Sequence, residues 1–243
     1  QAGFDRPEVL HQDADGQALL DPRRLQPRAS AISASQSSVL PTGVNDGDTI
    51  YLNAVDENRM GVSLIQSNAS GWGALVFLPE TRISLHNRGI GFSTDPSSEA
   101  AYGPQRRPPP TLAPTLVQDL NGSLRALIGT MGGDSQPQIV LQLLARLFVA
   151  EEDPGTALAS PRWRFSGSTS NGFNTWADPQ NVRLEIEGNH PELTDVLARL
   201  GHAVSSLPAN NSAFGHAHII SVEAGVLSGA SEPRVSVSGT AAY

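Results

Sequence analysis

Two β-rich runs, Thr49-Ile-Tyr-Leu-Asn-Ala-Val-Asp56 and Met60-Gly-Val-Ser-Leu-Ile-Gln-Ser67, are separated by three polar residues. Runs of this composition joined by a short polar turn predict a β-hairpin. Further strands are predicted at 83–85, 115–118 and 124–129, and the last two flank a turn rich in Asp, Asn and Gly. We therefore expect antiparallel sheet in this part of the chain.

Helical periodicity follows these strands. Apolar residues spaced by three and four positions predict a helix over 138–148, and a second helix is predicted over 191–200. The last part of the chain returns to strands, such as 218–223, with turns expected at Gly225 and Gly229. Hairpins, then helices, then more strands favour a layered α+β domain over a doubly wound one.

Two segments lack a strand or helix pattern. Residues 1–48 are rich in Asp, Arg, Pro, Ser and Gln, and we expect an irregular lead with at most a short helix near 7–10. Six prolines between 94 and 114 exclude regular structure there. The chain is therefore expected to divide into a lead segment, 1–48, and a folded portion, 49–243.

The composition excludes several classes of function. Of 243 residues, 16 are basic and 24 acidic, and a net charge of −8 without a basic stripe argues against a nucleic-acid partner. The absence of Lys excludes Schiff-base chemistry, and the absence of Cys excludes disulfides and thiolate nucleophiles. The apolar stretch 139–150 is shorter than the ~18–20 residues of a membrane span. We expect a soluble protein with no cofactor and no metal, in a compartment that the sequence leaves open.

Thr49 is the first candidate for chemistry. A hydroxyl becomes a useful nucleophile when a base lies beside it, and a Thr that cleavage makes N-terminal carries that base as its own α-amino group, with a pKa of about 7.7. Cleavage between Asp48 and Thr49 would produce such a residue. The alternative is an ordinary β-branched residue at the start of a strand.

The second candidate is the turn Gly129-Thr-Met-Gly132-Gly133-Asp134, which lies between a predicted strand and a predicted helix. Two glycines allow the backbone to approach a ligand, and N–H groups near a helix N-terminus can stabilise developing negative charge. The turn therefore suits an oxyanion hole. It could equally be a strand-to-helix connection that needs positive φ angles.

The remaining polar candidates are histidines and arginines. His216 and His218 share one face of a predicted strand and could form part of a metal site, but the sequence offers no third ligand, so structural roles are favoured. Arg106 and Arg107 could clamp a carboxylate or could be solvated loop charges. No Gly-x-Ser-x-Gly motif is present.

Together with the motifs above, further short motifs resemble, in the same order, the γ-glutamyltransferase (γ-glutamyltranspeptidase) family of N-terminal-nucleophile hydrolases. The resemblance covers residues 49–243, the extent of that family's small subunit. The motifs are Ser63-Leu-Ile-Gln-Ser-Asn68, Leu85-His-Asn87-Arg88, Gly91-Phe92-Ser93, Arg107-Pro108 with Thr111-Leu-Ala-Pro-Thr115, Ala159-Ser-Pro161-Arg162 and Gly229-Ala-Ser-Glu-Pro-Arg234.

The resemblance implies a four-layer αββα sandwich and a precursor that cleaves itself between Asp48 and Thr49. It implies that residues 1–48 are the tail of a large subunit of the same precursor, which is also the expected partner. Thr49 would then attack a γ-glutamyl or related small-molecule amide, and the acyl group would pass to water or to an amine. Gly132 and Gly133 would hold the oxyanion.

The resemblance also implies substrate contacts, at Gln66, Asn68, Asn87, Arg88 and Thr111. The match has departures. Ile90 stands where the transferases carry an acid for the glutamate ammonium, and Gln66 stands at the position of a Thr that supports the nucleophile. These departures point to the divergent transferase-like and acylase-like branch. They also motivate the alternative, a non-catalytic relative or incomplete fragment that acts as a binding or assembly module.

Overall fold

The computed structural model describes residues 21–30, 49–167 and 179–242. Its helices are α1 (Pro22–Ser30), α2 (Gln136–Phe148), α3 (Pro154–Ala159) and α4 (Pro191–Arg199). Its strands are β1 (Thr49–Val55), β2 (Gly61–Ser67), β3 (Phe77–Leu78), β4 (Ile83–Ser84), β5 (Thr115–Gln118), β6 (Leu124–Met131), β7 (Trp163–Ser166), β8 (Arg183–Glu187), β9 (Val204–Leu207), β10 (His216–Glu223) and β11 (Val226–Ser231). The expected mixture of helix and sheet is confirmed.

Strands β1 and β2 form the predicted hairpin. They pair antiparallel from Val55 opposite Gly61 to Thr49 opposite Ser67. The turn is closed by Asp56, whose N–H donates to the Met60 carbonyl at 3.1 Å and whose carboxylate accepts from the Met60 N–H at 2.8 Å. This register places the first residue of β1 beside the last residue of β2.

The main sheet has the strand order β11-β10-β6-β5, with every neighbouring pair antiparallel. Alternate side chains of β6 and β10, including Ile128 and Ile219, pack against Ile139 and Leu143 of α2, and all four are fully buried. Each such side chain contributes about 1.5–3 kcal/mol by leaving water. The predicted helical face of α2 is therefore the face that forms the core.

The β1–β2 hairpin covers the other face of the main sheet. Tyr51 of β1 is 5% exposed and lies against Gly129 of β6, where an added Cβ atom would come within 2.3 Å of the Tyr51 ring. Helix, main sheet and hairpin thus make three layers. The outer hairpin face carries exposed Ile50, Leu52 and Leu64, and no helix of the described residues forms a fourth layer on it.

The Tyr51–Gly129 contact gives a testable consequence for stability. Replacing Gly129 by Ala is expected to lower the free energy of unfolding by about 1–3 kcal/mol, because the new methyl group forces the Tyr51 ring out of its place. Gly239→Ala is a matched control, since an added Cβ there meets nothing within 4 Å. Urea unfolding of both variants measures the difference, and equal stabilities would contradict this packing.

Strands β7, β8 and β9 form a second sheet, in which β8 and β9 are parallel and α4 lies between them in sequence. None of these three strands was predicted, and neither were β3 and α3, because each is short and has little periodicity. Strand β4 lies within the predicted strand 83–85. No helix in the described ranges has the length and apolar content needed to cross a bilayer.

Two sequence predictions were wrong, and one lies outside the described residues. Residues 22–30 form α1 rather than irregular chain, because Pro22 can begin a helix and the Asp21 carboxylate accepts from the Arg23 N–H at 2.8 Å. Gly229 lies within β11 rather than in a turn. A glycine fits there because the Thr240 side chain lies 2.7 Å from the position that a Cβ atom of residue 229 would occupy. The short helix expected near 7–10 is outside the described residues.

Candidate active site

Thr49 begins β1, and its hydroxyl is hydrogen-bonded to the end of β2. Thr49 Oγ1 donates to Ser67 Oγ at 2.8 Å. The pairing follows from the hairpin register, since directly opposite residues in an antiparallel pair point to the same face. Ser67 Oγ also accepts from the Ala69 N–H at 3.0 Å, which holds the hydroxyl in place.

Arg88 reaches the same hydroxyl from the loop after β4. Its Nη2 donates to Ser67 Oγ at 3.3 Å. The preceding residue fixes this loop, because Asn87 accepts from the Ser70 N–H at 2.9 Å through Oδ1 and donates from Nδ2 to the Ser70 carbonyl at 3.1 Å. The Asn87 N–H also donates to the Asn68 carbonyl at 3.0 Å. These bonds tie the loop to the end of β2.

Thr111 completes this group of polar side chains. Arg88 Nη1 donates to Thr111 Oγ1 at 2.9 Å, and Thr111 is 9% exposed. The segment after Thr111 is joined to the start of α2, because the Ala113 N–H donates to the buried Gln136 Oε1 at 3.0 Å. The proline-rich segment therefore connects the Thr49 side of the site to the residues that follow the diglycine turn.

The diglycine turn connects β6 to α2. Gly132 has φ 139° and Gly133 has φ 52°, values that L side chains seldom adopt. A short 3-10 helix, Gly133–Ser135, leads directly into α2. The residue after the turn, Asp134, is buried and acts electrostatically on Arg88. Burial lowers the pKa of the Arg88 guanidinium, and the negative charge of Asp134 opposes that shift.

The structure therefore brings together some of the residues selected from the sequence. Thr49 and Arg88 both bind Ser67, which sequence analysis did not select, and Thr111 binds Arg88. Gln66 lies on the opposite, exposed face of the hairpin, because successive strand residues point to opposite faces. Asp48, on the other side of the expected cleavage site, is outside the described residues.

Asn68 and Asn87 contribute to the loop that lies beside this group. Asn68 contributes its backbone carbonyl to the loop, and both polar atoms of the Asn87 amide bind the backbone of Ser70. These contacts hold the loop that carries Arg88. Ser67 could have been found from the sequence by counting residue pairs outward from the hairpin turn.

His216 and His218 lie between the hairpin and the main sheet. His216 pairs in register with Met131, the residue before the diglycine turn, and its Nε2 lies 2.7 Å from Ser212 Oγ. The His218 ring is 6.2 Å from the Tyr51 ring, centre to centre. In the described part of the chain, no three His, Cys, Asp or Glu residues are grouped to hold a metal ion.

These two histidines predict a loss of stability in acid. Burial lowers the pKa of both rings; Glu232 opposes the shift, and for His216 the charges of Arg162, His218 and Arg234 reinforce it. The unfolded chain takes up protons near pH ~6.5 and the folded chain only at lower pH. Their contribution is therefore complete above the pKa of the unfolded chain and is lost as the pH falls from there through the lower pKa of the folded chain.

The measurement is the free energy of unfolding in urea between about pH 8 and pH 5. We expect the combined variant His216→Gln, His218→Gln to lose less stability over this range than the unchanged protein. His86→Gln is the control, because His86 is exposed. A combined variant with the same acid-dependent loss as the unchanged protein would rule out these rings as the cause.

The sequence profile described as gamma-glutamyltranspeptidase matches residues 7–242. The chain belongs to the γ-glutamyltranspeptidase family. Among curated relatives of this family member, the oxamate amidohydrolase proenzyme of Klebsiella pneumoniae is 36% identical over 92% of this chain and 41% of its own length. The glutathione hydrolase-like YwrD proenzyme of Bacillus subtilis is 32% identical over 95% of this chain and 43% of its own. The chain thus spans less than half the length of these relatives.

Solved structures of γ-glutamyltranspeptidase relatives share the fold. Cephalosporin acylase from Bacillus halodurans matches 95% of this chain and 40% of its own, with a TM-score of 0.75 and 30% identity. The T380A mutant of the Helicobacter pylori γ-glutamyltranspeptidase matches 76% of this chain and 99% of its own, with a TM-score of 0.62 and 20% identity. The fold of this chain is therefore shared with these structures, and the four-layer arrangement stays a prediction.

Residues from two of the γ-glutamyltranspeptidase-like motifs form a buried ion-pair network together with Glu187. Arg162 Nη1 donates to Glu232 at 2.9 Å, and Arg234 donates to Glu232 at 2.7 Å and also to both carboxylate oxygens of Glu187. All four side chains are at most 3% exposed. Arg162 further donates to the backbone carbonyls of Leu158 and Phe214. The network joins α3 to the strands around it.

Proposed function

We propose that this chain is the nucleophile-bearing part of a self-cleaving amidohydrolase or acyltransferase, with Thr49 as the nucleophile. The observation that carries the proposal is the position of the Thr49 hydroxyl. Thr49 begins β1, and its hydroxyl is hydrogen-bonded to Ser67 Oγ, which also accepts from Arg88. The family membership supports the same chemistry, because relatives are named amidohydrolases and proenzymes.

The first reaction is cleavage of the chain before Thr49. The Thr49 hydroxyl oxygen attacks the carbonyl carbon of Asp48, the C–N bond breaks, and an ester to Thr49 forms as the nitrogen gains a proton. Water then hydrolyses the ester, which regenerates the hydroxyl and leaves a carboxylate on Asp48. Thr49 gains a free α-amino group that can serve as its base.

The second reaction is the turnover of an amide substrate. The α-amino group takes the hydroxyl proton as Thr49 Oγ1 bonds to the substrate carbonyl carbon, and the same proton goes to the leaving amine as the C–N bond breaks. Water or another amine then attacks the acyl-Thr49 ester and restores the enzyme. Covalent acyl transfer of this kind divides one difficult step into two easier ones.

The proposed oxyanion site is the diglycine turn, Gly132 and Gly133. Both glycines have positive φ and lie directly before the helical N-terminus, where backbone N–H groups and the helix dipole favour negative charge. The Tyr51–Gly129 contact and the Asp134–Arg88 interaction link this turn to the Thr49 side. Each N–H that meets the oxyanion would contribute about 3–4 kcal/mol to the transition state.

The proposed partner is the remaining, large-subunit part of the same precursor, with the boundary before Thr49. The relatives named proenzymes are more than twice as long as the part that this chain matches. The outer hairpin face supports the proposal, since Ile50, Leu52, Val62 and Leu64 are each about half exposed. An apolar sheet face of this kind is normally covered by another layer, and helices there would complete the four-layer sandwich.

The proposed substrate is a small amide, with γ-glutamyl compounds and oxamate as the two classes to compare. One relative is named an oxamate amidohydrolase and another a glutathione hydrolase-like protein. Substrate contacts are proposed for Asn68, Asn87, Arg88 and Thr111, but not for Gln66, which faces away. Arg88 adds a cation beside the nucleophile, which favours an acyl group that carries a carboxylate.

The experiment compares hydrolysis of oxamate and of a γ-glutamyl anilide by the full-length protein. We expect release of ammonia or of the aniline, and a covalent acyl adduct on the fragment that begins with Thr49. A protein that is cleaved but hydrolyses neither compound and forms no adduct with either would favour the non-catalytic binding or assembly module.

A further inference from the structure

The Ser67 hydroxyl oxygen accepts from three donors. Thr49 Oγ1 donates at 2.8 Å, the Ala69 N–H at 3.0 Å and Arg88 Nη2 at 3.3 Å. A hydroxyl oxygen has two lone pairs, so three donors compete for two positions. The distances indicate that Thr49 and Ala69 occupy these positions in the uncleaved chain and that Arg88 is the weakest of the three.

The competition changes when Thr49 gives up its proton. The Thr49 hydroxyl proton moves to the amide nitrogen of the Asp48–Thr49 bond during cleavage and to the free α-amino group during turnover. In both cases the Thr49 donor is lost and one lone pair of Ser67 Oγ becomes available. Arg88 Nη2 is already 3.3 Å from this oxygen and needs to move only slightly to fill the position. The hydrogen of the Ser67 hydroxyl can then turn toward Thr49 Oγ1, where negative charge is developing.

We infer that Arg88 is a positioning residue that acts through Ser67, so that Ser67 can donate to the Thr49 oxygen during attack. The inference rests on the proposed role of Thr49 as the nucleophile. It assigns Arg88 a role that is separate from any contact with substrate. Hydrogen bonds in which the donor or acceptor is charged are roughly twice as strong as neutral ones, so the exchange favours the transition state over the resting state.

The surroundings hold Arg88 in the required place. Its Nη1 donates to Thr111 Oγ1 at 2.9 Å, and the loop before it is fixed by the two bonds between Asn87 and Ser70. Asp134 supplies an opposing charge on the side of the diglycine turn. Arg88 is thus aimed at Ser67 by contacts from three separate segments of the chain.

Cleavage of the precursor separates this role from substrate binding. Cleavage uses the Thr49 hydroxyl but no external substrate, so a residue that only anchors substrate leaves cleavage unchanged. We expect Arg88→Met in the full-length protein to slow cleavage before Thr49 and to lower kcat, each by about 10- to 100-fold. Arg88→Lys, which keeps the charge without the planar guanidinium, should give a smaller loss in both rates.

A double-mutant cycle tests the connection through Ser67. Ser67→Ala should slow the same two rates, and adding Arg88→Met to Ser67→Ala should cost no more than about a further twofold. Arg125→Met is the matched control, because Arg125 pairs with Asp119 at the surface. Thermal unfolding of each variant shows whether it is folded, and Arg88→Lys replaces Arg88→Met if the latter is not.

Two results would overturn the inference while leaving the proposed function intact. One is a variant of Arg88 that raises KM but is cleaved at the normal rate, as expected of a pure substrate anchor. The other is a double variant whose loss of rate equals the product of the losses in the Arg88→Met and Ser67→Ala single variants. An unchanged protein that is neither cleaved nor active would instead overturn the proposed function, and this inference with it.

Discussion

Thr49→Ala in the full-length protein is expected to remain uncleaved and to lose amide hydrolysis by about 10⁴-fold or more. The reason is that the substitution removes the oxygen that forms both the ester with Asp48 and the acyl intermediate. The Ser67 hydroxyl next to it is not a substitute, because it lies on the neighbouring strand and has no α-amino group as its own base.

Thr81→Ala is the matched control for this prediction, since Thr81 is exposed in the turn between β3 and β4. Thr49→Ser keeps the oxygen and should retain measurable cleavage and turnover. Both rates are measured by gel and by release of the leaving amine. Full hydrolysis by a folded Thr49→Ala protein would show that another group is the nucleophile.

Arg162→Met is expected to lower the free energy of unfolding by about 3–5 kcal/mol. The substitution leaves the Glu232 carboxylate buried with one cation fewer, and it also removes the donors to the Leu158 and Phe214 carbonyls. Arg162 is 1% exposed, so water cannot replace these bonds. Burial already lowers the pKa of this guanidinium, which reflects the cost of keeping the charge there.

Urea unfolding of the full-length protein measures this loss. Arg125→Met is the control, because its pair with Asp119 is solvent-exposed and should be worth about 1 kcal/mol or less. If Arg162→Met cost no more than this control, the network would not be a main support of the fold. Arg162→Met molecules that stay folded should still be cleaved before Thr49 and should still hydrolyse the amide.

Local sequence patterns were sufficient for the elements that hold the nucleophile. The β1–β2 hairpin, the β5–β6 pair and helix α2 each have a clear local sequence pattern. In the structure their bounds lie within two residues of the predicted ones. Gln66 was selected from the resemblance, whereas the hairpin register places Ser67, the next residue, opposite Thr49. In a strand a shift of one residue reverses the face, and counting pairs from the hairpin turn identifies Ser67.

The contacts between distant segments could not be predicted in the same way. Arg162 and Glu232 are 70 residues apart in the chain, and nothing local in either motif distinguishes a buried ion pair from a substrate clamp. Arg88 and Thr111 meet across a proline-rich segment whose path has no periodicity. Such contacts depend on the packing of whole layers, which a single sequence does not reveal.

The N-terminal residue of the fragment released from the full-length protein tests the central claim most directly. Mass spectrometry of the purified protein is expected to identify a fragment that begins at Thr49 with a free amine, and Thr49→Ala should yield none. An intact polypeptide, or a fragment that begins at any other residue while the amide is still hydrolysed, would contradict the assignment of Thr49 as the self-released nucleophile.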